Sequence, residues 1–308
     1  MTGLRLDVEA TERSFARSMA ERDHIRNPVE WGVDQLRTAG AAVGQTTHAV
    51  LGDGPAAATD APVVRRIEVA DLNEVLAQGW QDFLASRSDV IFLCVIYPLA
   101  GLVLAWSAFN YDVIPLLFPL VSGFALLGPV AAVGLYEMSR RRERHVEVRW
   151  VDALGVLATP QFGAILILGA ILFGIFVLWL VTANTIYYAT MGQEGIVSLS
   201  AFYHDVFTTP AGRQLMLVGI GVGFLYAVLV LAISVVSFPL LLDRKVGLST
   251  AITTSLRVCA ANPVPMAVWG LIVALGLLIG SLPALLGLIV VMPVLGHATW
   301  HLYRKVVV

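Results

Sequence analysis

Three side chains have types and spacing that chemistry could use: Glu137, His297 and His301. His297 and His301 stand one helical turn apart, which puts both imidazoles on one helix face. Two imidazoles so placed can chelate a metal, and one alone can ligate haem iron in a helical bundle. With a carboxylate beside them they could also relay protons. Glu137 is that carboxylate by pattern: it follows Pro129 at the spacing at which His301 follows Pro293. No third firm ligand accompanies them, and Arg140 or Arg304 stands ready to pair with Glu137. The expectation is a structural polar network at a membrane rim, with no metal, cofactor or catalytic residue assigned.

Most other chemistry is missing. The chain has no Gly-rich phosphate loop with Lys, no Gly-x-Ser-x-Gly, no His-Glu-x-x-His and no paired Cys motif. Cys94 and Cys259 lie in or beside apolar segments and read as reduced small hydrophobes. Asp112, within Asn110-Tyr111-Asp112, reads as a turn former. His204 and Asp205 share the longest outer loop and could meet there, though ordinary surface residues are the plainer reading. Net charge is −2, so there is no basic field and no case for nucleic acid. The expectation is no enzyme.

The elements that must position these residues are membrane helices. Hydrophobic residues make up 57% of the chain and charged ones 14%, against about 25% charged in soluble domains. No Asp, Glu, Lys or Arg occurs in Val113–Tyr136, Ala153–Gln193, Gln214–Leu242 or Val258–Tyr303. A helix needs about 20 apolar residues to cross the hydrocarbon layer. The reading is an all-α, polytopic transmembrane helical bundle with six spans: Val90–Phe109, Pro115–Tyr136, Phe162–Tyr187, Gln214–Leu242, Val264–Ile279 and Pro283–Leu302. Gly280-Ser281-Leu282-Pro283 turns between the last two, and Asn262-Pro263 starts the fifth. None of these spans carries a charge at its middle, which disfavours an ion-coupled transporter.

Amphipathic segments precede each pair of spans: Ile67–Leu84, Arg149–Leu157 and Leu248–Cys259. In the first, Val69, Leu72, Leu76, Trp80 and Phe83 make the apolar stripe, and Asp89 could cap the first span. Pro129 to Arg140 and Pro293 to Arg304 repeat one spacing; the fourth span ends on Asp243-Arg244-Lys245 and fits, but lacks the proline. Three hairpins, each preceded by an interfacial helix, follow from this pattern. Residues 1–64 form a separate cytosolic segment, a short helix from Pro28 and a flexible linker, ahead of the membrane domain at 65–305. The N-terminus has no secretory signal, so the first span is expected to direct targeting.

Ten basic residues fall on one side of these spans: Arg140, Arg141, Arg142, Arg144, Arg149, Arg244, Lys245, Arg257, Arg304 and Lys305. Only Arg213 falls on the other. The positive-inside rule then puts both termini in the cytoplasm. Trp106, Tyr111, Tyr187 and Tyr188 fit an outer aromatic belt, and Trp150, Trp300 and Tyr303 an inner one. In the second span, Pro115, Pro119 and Pro129 with Gly123, Gly128 and Gly134 suit either a kinked helix lining a cavity or, the favoured reading, the central packing helix. Thr182, Asn184, Ser234 and Ser237 could hydrogen-bond across helices.

The segments Ile67-Glu68-Val69-Ala70-Asp71-Leu72 through Trp80-Gln81-Asp82-Phe83, and Pro115 to Glu143 (PLLFPLVSGFALLGPVAAVGLYEMSRRRE), resemble a family of bacterial integral membrane proteins known only as a domain of unknown function. The resemblance runs from about Ile67 to Lys305. Arg144-His145 departs from the Gly-containing turn of that family. It implies a bacterial inner-membrane location and a multi-span topology, and it brings no catalytic residues.

The functional expectation is a non-enzymatic accessory or organising protein of the bacterial inner membrane. Its partners are the lipid bilayer, anionic headgroups at Arg140, Arg141, Arg142 and Arg144, and another membrane protein reached by the N-terminal segment. The alternatives are a transporter or channel for a neutral or lipidic solute, and a haem- or metal-binding redox protein resting on His297 and His301.

Overall fold

The computed structural model describes residues 62–85, 117–146, 148–192, 199–283 and 285–308, all within one compact unit. The expected first span, Asp89, Cys94, Trp106 and the turn at 110–112 lie outside the described residues. So does the N-terminal segment, apart from 62–64.

Among the described residues the fold is helical, apart from one antiparallel bridge between Val64 and Val307. The helices are α1 (Asp71–Ala85), α2 (Leu117–Leu126), α3 (Gly128–Ala131), α4 (Val133–Glu143), a 3-10 helix (Trp150–Ala158), α5 (Phe162–Met191), α6 (Leu199–Thr208), α7 (Pro210–Ser234), α8 (Ser237–Asp243), α9 (Leu248–Ala261), α10 (Pro263–Ser281) and α11 (Leu288–Val306).

Three of these runs are long and apolar enough to cross a membrane: Phe162–Met191, Pro210–Asp243 and Pro263–Ser281, of 30, 34 and 19 residues. They correspond to the expected third, fourth and fifth spans. At about 1.5 Å per residue the shortest still spans roughly 28 Å. Two of them start on a recognisable signal. Thr209 accepts a bond from the Gly212 amide at 3.0 Å and Pro210 takes the first helical turn. Pro263 does the same after Asn262. Gly192 ends α5 at φ +83°, a conformation that suits glycine.

The expected second span is not one helix. It is α2, α3 and α4, broken at Leu127 and Ala132. Pro129 has no N–H to give the Ala125 carbonyl, so the ladder is interrupted there and tightens to bonds such as Val130 N to Leu127 O, 3.0 Å. Pro239 has the same effect on the Val235 carbonyl, and the chain turns between α7 and α8. The expected sixth span starts later than Pro283, at Leu288, after a turn in which Leu285 adopts φ +67°. It then runs on to Val306, and its second half is a packed, partly polar helix. The six-span expectation therefore exceeds what the described helices display, which is three.

All three amphipathic segments form helices. The 3-10 helix is held at its start by Asp152, whose carboxylate accepts the Arg149 amide at 2.8 Å. In α1 the buried stripe is Leu72, Val75, Gly79, Asp82 and Phe83, rotated from the expected one. Trp80 and Val69 stay exposed. Rotation is set by close approach and by polar pairing: a Cβ on Gly79 would lie 2.6 Å from Ala298, and Asp82 faces partners described below. Thus α1 lies against α11.

The stretch 63–67 is held by backbone bonds. Arg65 N donates to Val306 O at 2.9 Å, and Val308 N to Val63 O at 2.9 Å. Asn262 clamps it to the α9–α10 junction, accepting from Ile67 N at 2.8 Å and donating to Arg65 O at 3.1 Å.

The apolar interior is packed through α5. Gly123 admits Phe176 and Trp179 so closely that a Cβ would sit 2.6 Å from the Phe176 ring. The Trp179 indole donates to Pro119 O at 2.9 Å. Thr182 meets the Tyr226 hydroxyl at 2.8 Å, joining α5 to α7, and Ser237 reaches Ala251 O in α9 at 3.1 Å. Ser234 bonds within its own helix instead.

Candidate functional site

The candidate site sits where α1, α4 and α11 meet, and its centre is Asp82. Ser139 Oγ lies 2.6 Å from Asp82 Oδ2, and His301 Nε2 lies 2.8 Å from the same oxygen. Arg142 Nε approaches Oδ1 at 3.1 Å and Arg142 Nη1 reaches the Gln81 carbonyl at 3.3 Å. Ser139 Oγ is also 2.8 Å from His297 Nδ1. Asp82, Ser139 and His297 are buried.

Proton counting orders this chain. Asp82 accepts only, if ionised, so the Ser139 hydroxyl donates to it. The hydroxyl oxygen then accepts, which requires the proton of His297 on Nδ1. His297 Nε2 is enclosed with no hydrogen-bond partner. This order is not that of a nucleophilic triad, where the imidazole stands between hydroxyl and carboxylate. Here serine stands between, its proton already committed, and only 1% of its surface is exposed. The arrangement joins α1, α4 and α11 through one buried carboxylate.

Burial alone would raise the Asp82 pKa. The bonds from His301 and Ser139 outweigh it and hold the carboxyl below its usual value. The ionised form is thus the structural one.

Of the three candidate residues, the structure brings two together. His297 and His301 share a face and one network. Glu137 belongs to a second one. Glu137, 2% exposed, faces Arg140 Nη2 at 2.7 Å and Arg141 Nε at 2.8 Å. The Arg140 contact is an ion pair without hydrogen-bond alignment at Oε2. Arg141 Nη1 continues to Asp152 at 2.7 Å, tying α4 to the 3-10 helix. Gly155 makes room for that guanidinium, since a Cβ there would sit 2.8 Å from Arg141 Nη2.

The remaining arginines of the run are also engaged. Arg140 Nη1 donates to Leu242 O at 2.7 Å, satisfying a carbonyl in the last turn of α8. Arg144 lies 3.6 Å from Asp243. Asp243 also accepts from Tyr303 at 2.8 Å and pairs with Arg304 at 3.4 Å. Arg304 pairs with Glu143 rather than Glu137, and Trp300 donates to Glu143 at 3.0 Å. Lys305 reaches Asp71 at 3.0 Å and also Glu74 in α1.

Among the described residues no group of three His, Cys, Asp or Glu side chains is arranged to hold a metal. No hydrogen bond or ion pair joins the side chains of His204 and Asp205, which lie on α6. Separately, an apolar cavity of about 310 Å³ lies between α2, α3, α5, α10 and α11, lined by residues including Leu120, Val130, Gly169, Phe173, Leu277 and Met292.

A family model described as predicted integral membrane protein (DUF2189) matches residues 116–243. The match is shorter than the stretch from about Ile67 to Lys305 over which the sequence resembles such a family. It holds Glu137, Ser139 and the arginine run, whereas Asp82, His297 and His301 lie outside it. No curated protein and no solved structure matches the chain. The match and the three long apolar helices together describe a predicted integral membrane protein of unknown function.

Proposed function

We propose that this chain is a six-span, non-enzymatic accessory or organising protein of the bacterial inner membrane, with both termini cytoplasmic. The observation that carries the reading is the polar cap in which Asp82, Glu137, Glu143 and Asp243 tie α1, α4, α8, the 3-10 helix and α11 together through ion pairs. Such a cap fixes where the N-terminal segment leaves the membrane domain and would present it to a membrane partner. Each of its carboxylates faces at least one cation of the cap, which suits a scaffold better than a catalyst. The experiment is affinity purification of the full chain from native membranes. A membrane protein recovered in constant ratio, and lost when residues 1–61 are deleted, is the expected result. Recovery of this protein alone would overturn it.

The apolar cavity favours one alternative, a carrier or channel for a neutral or lipidic solute. Gly169, whose position meets Val130 at the cavity edge, offers the test: Gly169→Phe would abolish solute flux in proteoliposomes if that reading holds. The haem or metal reading rests on His297 Nε2, which has no hydrogen-bond partner but is enclosed, because His301 Nε2 and His297 Nδ1 already face Asp82 and Ser139. An absorption spectrum and metal analysis of purified protein decide it.

A further inference from the structure

The arginine run that the sequence assigns to lipid headgroups is already engaged. Arg140, Arg141, Arg142 and Arg144 face Glu137, Asp152, Asp82 and Asp243, and none of these carboxylates is more than 22% exposed. A phosphate would have to compete with carboxylates fixed by the fold.

Another set of cations has no side-chain partner among the described residues: Arg65, Arg66, Lys245 and Arg257, all exposed. The fold gathers them. The Asn262 side chain bonds the Arg65 carbonyl and the Ile67 amide, so the Arg65–Arg66 pair crosses the α9–α10 junction. Arg257 stands on the last turns of α9, just before that junction. Lys245 adjoins Arg244, whose guanidinium reaches Val308 O at 3.3 Å, and Val308 is paired with Val63 beside the same strand. The helix α9 contains no acidic residue. Glu68 is the nearest acid in sequence to Arg65 and Arg66, and it makes no ion pair.

Two of these residues also flank apolar runs. Lys245 follows the end of Pro210–Asp243 and Arg257 precedes the start of Pro263–Ser281, two runs able to cross the bilayer. Leu256 and Val264, 46% and 62% exposed, stand beside them. Exposed cations next to exposed apolar side chains at a helix end form an interfacial surface. We infer that anionic phospholipid headgroups bind this rim, at Arg65, Arg66, Lys245 and Arg257, rather than the Arg140–Arg144 run. The inference needs the chain in a membrane, as the proposed function does, but it is independent of any protein partner.

The test is native mass spectrometry of the full chain in a non-ionic detergent, with equal amounts of phosphatidylglycerol and phosphatidylcholine added. The wild-type protein is expected to retain phosphatidylglycerol preferentially. Replacing Arg65, Arg66, Lys245 and Arg257 together by Gln should remove that preference by roughly tenfold or more, and Lys245→Gln or Arg257→Gln alone should reduce it. Arg144→Gln should leave it unchanged. The single variants remove exposed side chains and keep the question answerable if the quadruple variant does not fold. Equal retention of the two lipids, an Arg144→Gln loss matching the quadruple variant, or displacement of phosphatidylglycerol by millimolar inorganic phosphate would each overturn the inference. A failed affinity purification with lipid preference intact would sink only the partner reading.

Discussion

Asp82 serves three helices with two oxygens, and its cost of removal follows from that. Asp82→Asn keeps the shape but loses the charge that Arg142, His301 and Ser139 point toward. A hydrogen bond to a charged group is worth about 1.5–3 kcal/mol, so thermal unfolding in detergent should show a midpoint several degrees lower, with Ser139→Ala less severe. The pH dependence has a definite sign. The folded carboxyl is held below its ordinary value near 3.8, so its contribution is whole above that value and is lost as pH falls through the lower folded one. Asp71 shifts the same way, through the Glu68 amide and Lys305. Docking of α1 should therefore survive at pH 5 and fail only in stronger acid, as read by protease cleavage before α1. Cys259 offers a third check. Burial pushes its thiol up to about 11, so in a Cys94→Ala background its alkylation at pH 8 should run roughly a hundredfold slower than that of an ordinary thiol. Sequence pattern marked His297 and His301 but passed over Asp82. Among Asp71, Glu74, Gln78 and Gln81 it looks like one more solvated acid; only its place on the Leu72, Val75, Gly79 stripe shows otherwise.

At the scale of elements, α1 is seated by the smallness of Gly79. A Cβ there would collide with the backbone nitrogen and Cβ of Ala298, so Gly79→Leu should pry α1 from α11 while leaving the apolar helices intact. Disulfide trapping of a Val64→Cys, Val307→Cys pair, efficient in the parent, should then fall severalfold. What composition made legible was the set of long apolar helices and all three amphipathic ones, because absence of charge and periodicity are local properties. The broken second segment was half legible. Its prolines announce a kink, but whether a freed carbonyl bends a helix or ends it depends on what fills the gap, here bonds such as Leu135 N to Ala132 O. Pro239 was missed because it stands nearer its arginine than Pro129 and Pro293 do to theirs. The rotation of α1 was not legible at all, since Trp80 and Leu84 are as apolar as the residues that turned inward.

At the scale of the whole molecule, the carboxylates of the cap among the described residues answer basic residues beside them. At the far end of α5, Tyr187 meets Tyr188 edge-on at 5.4 Å between ring centroids and Phe202 of α6 at a tilt, 6.2 Å away. If the basic side is cytoplasmic, a cysteine at the exposed position 144 should react with an impermeant maleimide in inverted vesicles and not in intact cells. The reverse result would invert the topology.

The docking of α1 on α11 also carries a schedule. His301 lies 219 residues beyond Asp82, and Gly79 meets Ala298 at a similar remove. Synthesis at about 5–20 residues per second leaves the apolar stripe of α1 without its mate for on the order of tens of seconds. During that interval the ribosome-bound chain must shelter Leu72, Val75 and Phe83 elsewhere, with the lipid surface the nearest host. Nascent chains stalled just short of Leu288 should thus be cut readily before α1 by added protease, and release of the complete polypeptide should close the site.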